Sequence, residues 1–225
     1  MMNIVLTGAG KGIGFEIAKQ FCEKGHRVVA ISRNISRLTE LNNKNLLAVS
    51  FDLTEGNYQE LYDKIKQFLP VVNILVNNAG LLINKAFTDF TDDDFDKIFR
   101  TNVNAIAKMS RTLINDFSAK SHIVNISSMG GFQGSSKFPG LSLYSASKGA
   151  VSILTESMAE ELKDRNISVN ALALGAVQTE MLAEAFPSFK APLTASEMAS
   201  FICDFAISAN KYYNGKVMTV SLSTP

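Results

Sequence analysis

The sequence predicts an α/β fold: a doubly wound parallel sheet of about seven strands with helices on both faces, one domain over residues 1–225. Two observations predict it. Short runs rich in Val, Ile and Leu alternate with longer amphipathic stretches, and strand–helix alternation builds parallel sheets. The apolar runs are nearly unbroken, as in strands buried on both faces.

The strands are expected at 3–6, 27–31, 46–51, 73–76, 122–126, 168–173 and 216–222. The helices are expected at 13–24, 36–42, 58–69, 93–117, 143–164 and 195–208. In 93–117, Phe95, Ile98, Phe99, Val103, Ile106, Met109 and Leu113 recur at helical spacing, which reads as a core-facing stripe. Residues 130–140, rich in Gly and Ser, and 185–192, with Pro187 and Pro192, read as loops. In an open parallel sheet such loops, beyond the carboxyl ends of the strands, hold the ligand.

Composition excludes several classes. With 22 Lys+Arg against 21 Asp+Glu and no dense basic run, nothing points to a nucleic-acid or anionic-membrane partner. Cys22 and Cys203 are far apart in apolar stretches and read as buried thiols. His26 and His122 have no neighbours at metal-ligand spacing, so no metal is expected. No apolar run reaches the ~18 residues of a membrane span. The first strand begins almost at the first residue, which predicts no leader and a cytoplasmic location.

The first strand runs into Thr7-Gly8-Ala9-Gly10-Lys11-Gly12-Ile13-Gly14 and then a helix. Such a turn lets backbone approach a pyrophosphate, while the helix N-terminus offers free N–H groups and the positive end of its dipole. This is a dinucleotide-binding (Rossmann) arrangement, although Ile13 stands where the commonest fingerprint has glycine. A phosphate-loop NTPase is excluded, since no Gly-Lys-Ser/Thr ending follows. An acid ending the second strand would grip the ribose of NAD, but this chain reads Ser32-Arg33 there. Arg33 and Lys11 are placed to pair with a 2′-phosphate, so NADP(H) is expected in preference to NAD(H); the alternative is that both are solvated surface charges. Asp52, ending the third strand, can accept from an adenine amino group, or it or Thr54 can cap the next helix.

Tyr144 and Lys148 lie four apart on one helix and can approach a common point. A tyrosine titrates near ~10, and a nearby ammonium and a first-turn position both favour its phenolate. That makes a proton donor and acceptor. Taken alone, the pair reads more readily as an unrelated Tyr and Lys that share an amphipathic helix.

Four motifs in order change that balance: Thr7–Gly14 as Thr-Gly-x-x-x-Gly-x-Gly, Asn77-Asn78-Ala79-Gly80, Ser127-Ser128 closing a strand, and Tyr144-x-x-x-Lys148. With Asn102 in Thr101-Asn102-Val103, the whole chain resembles a short-chain dehydrogenase/reductase of the plain, single-domain branch. The resemblance implies roles. Tyr144 is the general acid or base for a carbonyl or alcohol substrate. Lys148 lowers its pKa and holds the nicotinamide ribose, Ser128 bonds the substrate oxygen, and Asn102 holds a water linking Lys148 to solvent. Gly8, Gly12, Ile13 and Gly14, with Asn78, Ala79 and Gly80, line the cofactor, and Val177 and Thr179 meet its carboxamide. It also implies a homodimer or homotetramer packed through 93–117 and 143–164.

Three departures stand out. The stretch from Ser128 to Tyr144 is a few residues longer than usual, leaving Ser127, Ser135 and Ser136 as alternatives to Ser128. Leu174-Gly175 replaces the usual Pro-Gly. The chain reads Ser223-Thr224-Pro225 in place of a glycine-rich end, and the substrate lid, 181–194, is short. Met181, Leu182, Phe186 and Phe189, with Phe132 and Phe138 able to face them, suggest an apolar pocket; the alternative is that these side chains simply pack the loops onto the body. The expected activity is NADPH-dependent reduction of a ketone or aldehyde. The alternatives are a 3-oxoacyl-thioester reductase and a silent nucleotide-binding sensor or scaffold.

Overall fold

The computed structural model describes residues 1–222, so the reading of Ser223, Thr224 and Pro225 lies outside it. The elements run β1 (Asn3–Thr7), α1 (Gly12–Glu23), β2 (Arg27–Ser32), α2 (Ser36–Glu40), β3 (Leu46–Ser50), α3 (Tyr58–Phe68), β4 (Val72–Asn77), α4 (Asp92–Phe99) and α5 (Ala105–Thr112). Then follow β5 (Phe117–Ser128), α6 (Ser142–Glu161), β6 (Ile167–Leu174), β7 (Val177–Gln178), α7 (Glu180–Ala185), β8 (Leu193–Thr194), α8 (Ala195–Ser208) and β9 (Val217–Val220).

Seven strands form one parallel sheet in the order β3-β2-β1-β4-β5-β6-β9. The order reverses between β1 and β4, and the crevice at that switch point is where such folds bind ligands. Successive side chains of β1 show why its apolar run is unbroken. Ile4 and Leu6 pack with Ile17, Phe21, Ile202 and Cys203 of α1 and α8, while Val5 packs with Leu61, Ile65 and Met109 of α3 and α5. Burying each large side chain contributes roughly 1.5–3 kcal/mol. Cys22 and Cys203 are buried free thiols, pushed up by burial to about 11 and about 12.

The structure corrects the expected helix over 93–117. A five-residue π turn, Arg100–Asn104, separates α4 from α5, the helix stops at Thr112, and Phe117 opens β5. Ile98, Ile106, Met109 and Leu113 do face the core, but Phe95 and Phe99 stack on each other at 4.4 Å, with Phe95 exposed. The expected cap at Asp52 or Thr54 is also displaced. Asn57 caps α3 by accepting from Gln59 N, while Asp52 accepts from the amide (2.8 Å) and hydroxyl (2.6 Å) of Thr54 in the preceding turn. The last strand is shorter than expected, Val217–Val220. The loop after β6 has unexpected structure: β7 pairs with β8 in a two-stranded parallel ribbon that carries α7.

Candidate active site

The glycine turn is built by close approach. Gly8 has φ +68°, and a Cβ there would lie 2.6 Å from Ala79 Cα. A Cβ on Gly14 would lie 2.2 Å from the Gly8 carbonyl, so neither position admits a side chain. Thr7 Oγ1 accepts from Asn78 N (3.1 Å) and Ala79 N (3.2 Å), and Asn78 Nδ2 donates to Gly8 O (3.0 Å). The end of β4 and the turn are thereby one unit across the switch point. No side chain caps α1, whose N-cap is Lys11, so its first amides lack a side-chain capping partner. Ile13 packs against the core cluster under α1. Ser32 lies against Gly10, whose Cβ would meet Ser32 Oγ at 2.4 Å, and Arg33 is exposed beside it.

The second half of the site comes from β5, the π turn and α6. Lys148 is 4% exposed, and its Nζ donates to Ile126 O at 2.8 Å. Burial holds its ammonium below the ordinary value, at about 8. Tyr144 stands in the first turn of α6, its ring centroid 5.8 Å from Lys148 Nζ. The expected lowering of the phenol is not seen: burial raises it, and a hydrogen bond to the Ser128 side chain opposes the rise. The cause is that the pair is desolvated together, and desolvation penalises both charged forms.

Ser128 differs in its contacts from Ser127 and Ser135. Ser127 Oγ donates to Lys148 O (2.8 Å), a buried structural bond. Ser135 is turned into its own loop, donating to Met129 O and to Phe132 O (2.9 Å). Ser128, half-buried, meets Tyr144 and accepts from Gly130 N at 3.2 Å.

Asn102 is fully buried, and its side chain is engaged in a way the motif did not suggest. Oδ1 accepts from Leu81 N (2.7 Å), while Nδ2 donates to Leu81 O (2.9 Å) and Ser147 Oγ (2.9 Å). Its amide group therefore spends both donors on protein, tying the segment after β4 to the turn of α6 that carries Tyr144 and Lys148. Gly80 completes the arrangement: a Cβ there would lie 3.5 Å from Lys148 Nζ and 3.6 Å from Asn102 Oδ1. The missing side chain leaves room in front of both groups.

Beyond β6, Val177 is buried in β7, and Thr179 Oγ1 caps α7 by accepting from Leu182 N at 3.2 Å. A Cβ on Gly12 would meet Thr179 Cγ2 at 3.4 Å, so this segment leans on the glycine turn. Asn84 Nδ2 donates to Ala185 O (3.0 Å), tying the end of α7 to the segment after β4. Phe138 and Phe189 are about half exposed. Three residues with no role in the sequence reading form two ion pairs that tie α7 to this region: Glu184 with Lys11 of the glycine turn, and Glu180 with Arg37 of α2. The four-residue spacing of Glu180 and Glu184 on one helix was the available signal.

These features place a glycine turn with uncapped helix amides opposite a Ser–Tyr–Lys cluster, with a glycine-made opening between. A sequence model described as short chain dehydrogenase matches residues 2–189. The chain belongs to the short-chain dehydrogenase family. It is accordingly an oxidoreductase. Similar proteins include carbonyl reductase [NADPH] 2 of Sus scrofa, 34% identical over 185 residues, covering 80% of this chain and 73% of that protein. An uncharacterized oxidoreductase of Staphylococcus aureus (strain MRSA252) is 28% identical over 223 residues, covering 96% and 95%. Among solved structures, a 3-ketoacyl-(acyl-carrier-protein) reductase from Brucella melitensis complexed with NADH superposes with TM-score 0.87 at 26% identity, covering 97% of this chain and 96% of that one. A short-chain dehydrogenase from Burkholderia cenocepacia in complex with NADP superposes with TM-score 0.84 at 25% identity, covering 97% and 95%. Among the described residues no group of three or more His, Cys, Asp or Glu is placed to hold a metal ion. No helix among them is long and apolar enough to cross a membrane.

Proposed function

We propose that this short-chain dehydrogenase reduces a ketone or aldehyde to its alcohol, or the reverse, with NADP(H), and with Tyr144 as the general acid or base. The observation that carries the reading is the grouping of Ser128, Tyr144 and buried Lys148, with Lys148 Nζ bordering the opening at Gly80. A nicotinamide dinucleotide fits the residues present: α1 supplies unpartnered amides for the pyrophosphate, and Lys148 and Asn102 border the space over Gly80. The bound cofactor supplies or accepts the hydride.

This chain's residues handle the proton and the charge. Ser128 donates to the substrate oxygen as negative charge develops there. Tyr144 gives its phenolic proton to that oxygen during reduction. Its raised pKa in the free protein keeps that proton in place until substrate arrives. Lys148, still cationic at neutral pH, stabilises the phenolate left behind. Tyr144→Phe is expected to lower kcat by roughly 10²–10⁴-fold while leaving the fold and cofactor affinity intact. Retention of more than about a tenth of the wild-type rate on the best carbonyl substrate would refute the role.

NADPH is expected over NADH, because Ser32 offers no carboxylate against a 2′-phosphate and Arg33 is exposed beside it. A charge-assisted pair is worth on the order of 1.5–3 kcal/mol, about 10- to 150-fold. The check is kcat/KM for both cofactors in wild type and in Ser32→Asp/Arg33→Ala; equal use by the wild type removes the idea. The naming of the porcine relative supports the same preference.

The substrate we propose is a medium-sized hydrophobic carbonyl compound, received between residues 181–194 and the loop bearing Phe132 and Phe138. A second reading, reduction of a 3-oxoacyl thioester, is favoured by the likeness to the Brucella protein. Comparing a free ketone with the matching carrier-linked thioester separates the two. Exposed Phe95 on α4 and Ile153 on α6 suit a homodimer or homotetramer packed through those helices, which sedimentation tests.

A further inference from the structure

The two ion pairs on α7 bear on cofactor choice. Lys11, within the glycine turn, holds Glu184 at 3.3 Å, and Arg37, on α2, holds Glu180 at 3.3 Å. Glu180 and Glu184 are four residues apart and so share one face of α7. That face lies over the turn: Glu180 Oε2 is 3.4 Å from where a Cβ on Gly12 would be. Gly12, Arg37, Thr179 and Glu180 line a single open recess of about 340 Å³. Arg37 is further fixed by stacking over Phe15, 4.3 Å from its ring centroid.

We propose that Glu184, assisted by Glu180, is a specificity-determining residue that opposes the 2′-phosphate of the cofactor. It does so by holding Lys11, the cation within the turn, in an ion pair with the lid. This rests on the dinucleotide reading above. A 2′-phosphate brings close to two negative charges to a place where two carboxylates already neutralise the nearby cations. To use Lys11 it must displace Glu184, and it then faces that freed carboxylate beside Glu180, which Arg37 still holds. NAD(H), which has a hydroxyl there, pays no such penalty. The discrimination set by Ser32 and Arg33 is thus reduced by the lid.

Both carboxylates are exposed, with side-chain exposures of 46% for Glu180 and 73% for Glu184, so glutamine replaces them without disturbing packing. The experiment is calorimetric titration of NADP⁺ and NAD⁺ into wild type, Glu184→Gln and Glu180→Gln/Glu184→Gln, at low and at high salt. Each exposed pair contributes little. The double variant should bind NADP⁺ roughly three- to tenfold tighter, and NAD⁺ within about twofold of wild type. Glu184→Gln alone should account for most of the gain, and high salt should shrink it, since exposed charges are screened. An equal change for both nucleotides, or none for NADP⁺, overturns the proposal while leaving the dinucleotide reading standing. Failure of the wild type to bind either nucleotide overturns both.

Discussion

Lys148 shows what a buried charge costs and what it provides. Its unfolded value near 10.5 falls to about 8 in the fold, so at pH 7 the protein carries a desolvated ammonium against a penalty of about 3 kcal/mol. The hydrogen bond to Ile126 O returns only part of this. A lowered folded pKa places the group's favourable contribution above pH 10.5 and removes it as pH falls to about 8. Lys148→Met should therefore melt higher than wild type at pH 7, by about 2–6 °C for a chain of this size, while turnover and cofactor binding collapse. The difference in melting should narrow as pH rises from 8 towards 10. A lower melting temperature at pH 7 would show that the lysine is held at no net cost.

The π turn between α4 and α5 is the element that shapes the site. Such single-turn expansions displace one residue from the helical register and recur at functional positions. Here the displaced stretch carries Asn102, whose three bonds join Leu81 to Ser147, one position before Lys148. Asn102→Ala would leave the Leu81 amide and carbonyl without their buried partner, at roughly 1–3 kcal/mol for each group. We expect a loss of about 3 kcal/mol in urea unfolding, with faster hydrogen exchange at the Leu81 amide. A change under about 1 kcal/mol, or unchanged exchange at Leu81, would mean that the turn does not hold the segment after β4.

At the scale of the whole molecule, acid sensitivity is expected from the amino-terminal part of β5, away from Ser128 at its carboxyl end. His122, in β5, is 1% exposed, with Nδ1 3.0 Å from Ala206 O and Nε2 3.0 Å from Asn170 Nδ2. Those partners assign the neutral tautomer with the proton on Nδ1, and burial lowers the pKa from 6.5 to about 4. The unfolded chain binds a proton as pH falls below 6.5 and the native chain does not until about 4. Stability is thus full above pH 6.5 and lost across that interval, by about 3 kcal/mol. His26, also lowered, adds in the same direction. In His122→Gln the slope of unfolding free energy against pH between 6.5 and 4 should flatten markedly; an unaltered slope would assign the acid sensitivity elsewhere.

Unbroken apolar runs such as β1 and β6 could be read directly, because strands buried on both faces need no tertiary information to be apolar. The ordered motifs could also be read directly, and the fold sets Gly8 at the end of β1, Ser128 at the end of β5, and Tyr144 and Lys148 in the first two turns of α6. The π turn could not be read, because an apolar period near 3.6 tolerates one extra residue, and the surface stack of Phe95 on Phe99 mimics a core stripe. Which serine meets Tyr144 depends on the side on which β5 presents each hydroxyl, and that was decided by its pairing with β6 and the approach of α6. The direction of the Tyr144 shift was a matter of three-dimensional burial: spacing along a helix reports the nearby cation but not the removal of water from both groups. The contacts of Glu180 and Glu184 with Arg37 and Lys11, 143 and 173 residues away, exist only because the fold returns α7 to the first turn.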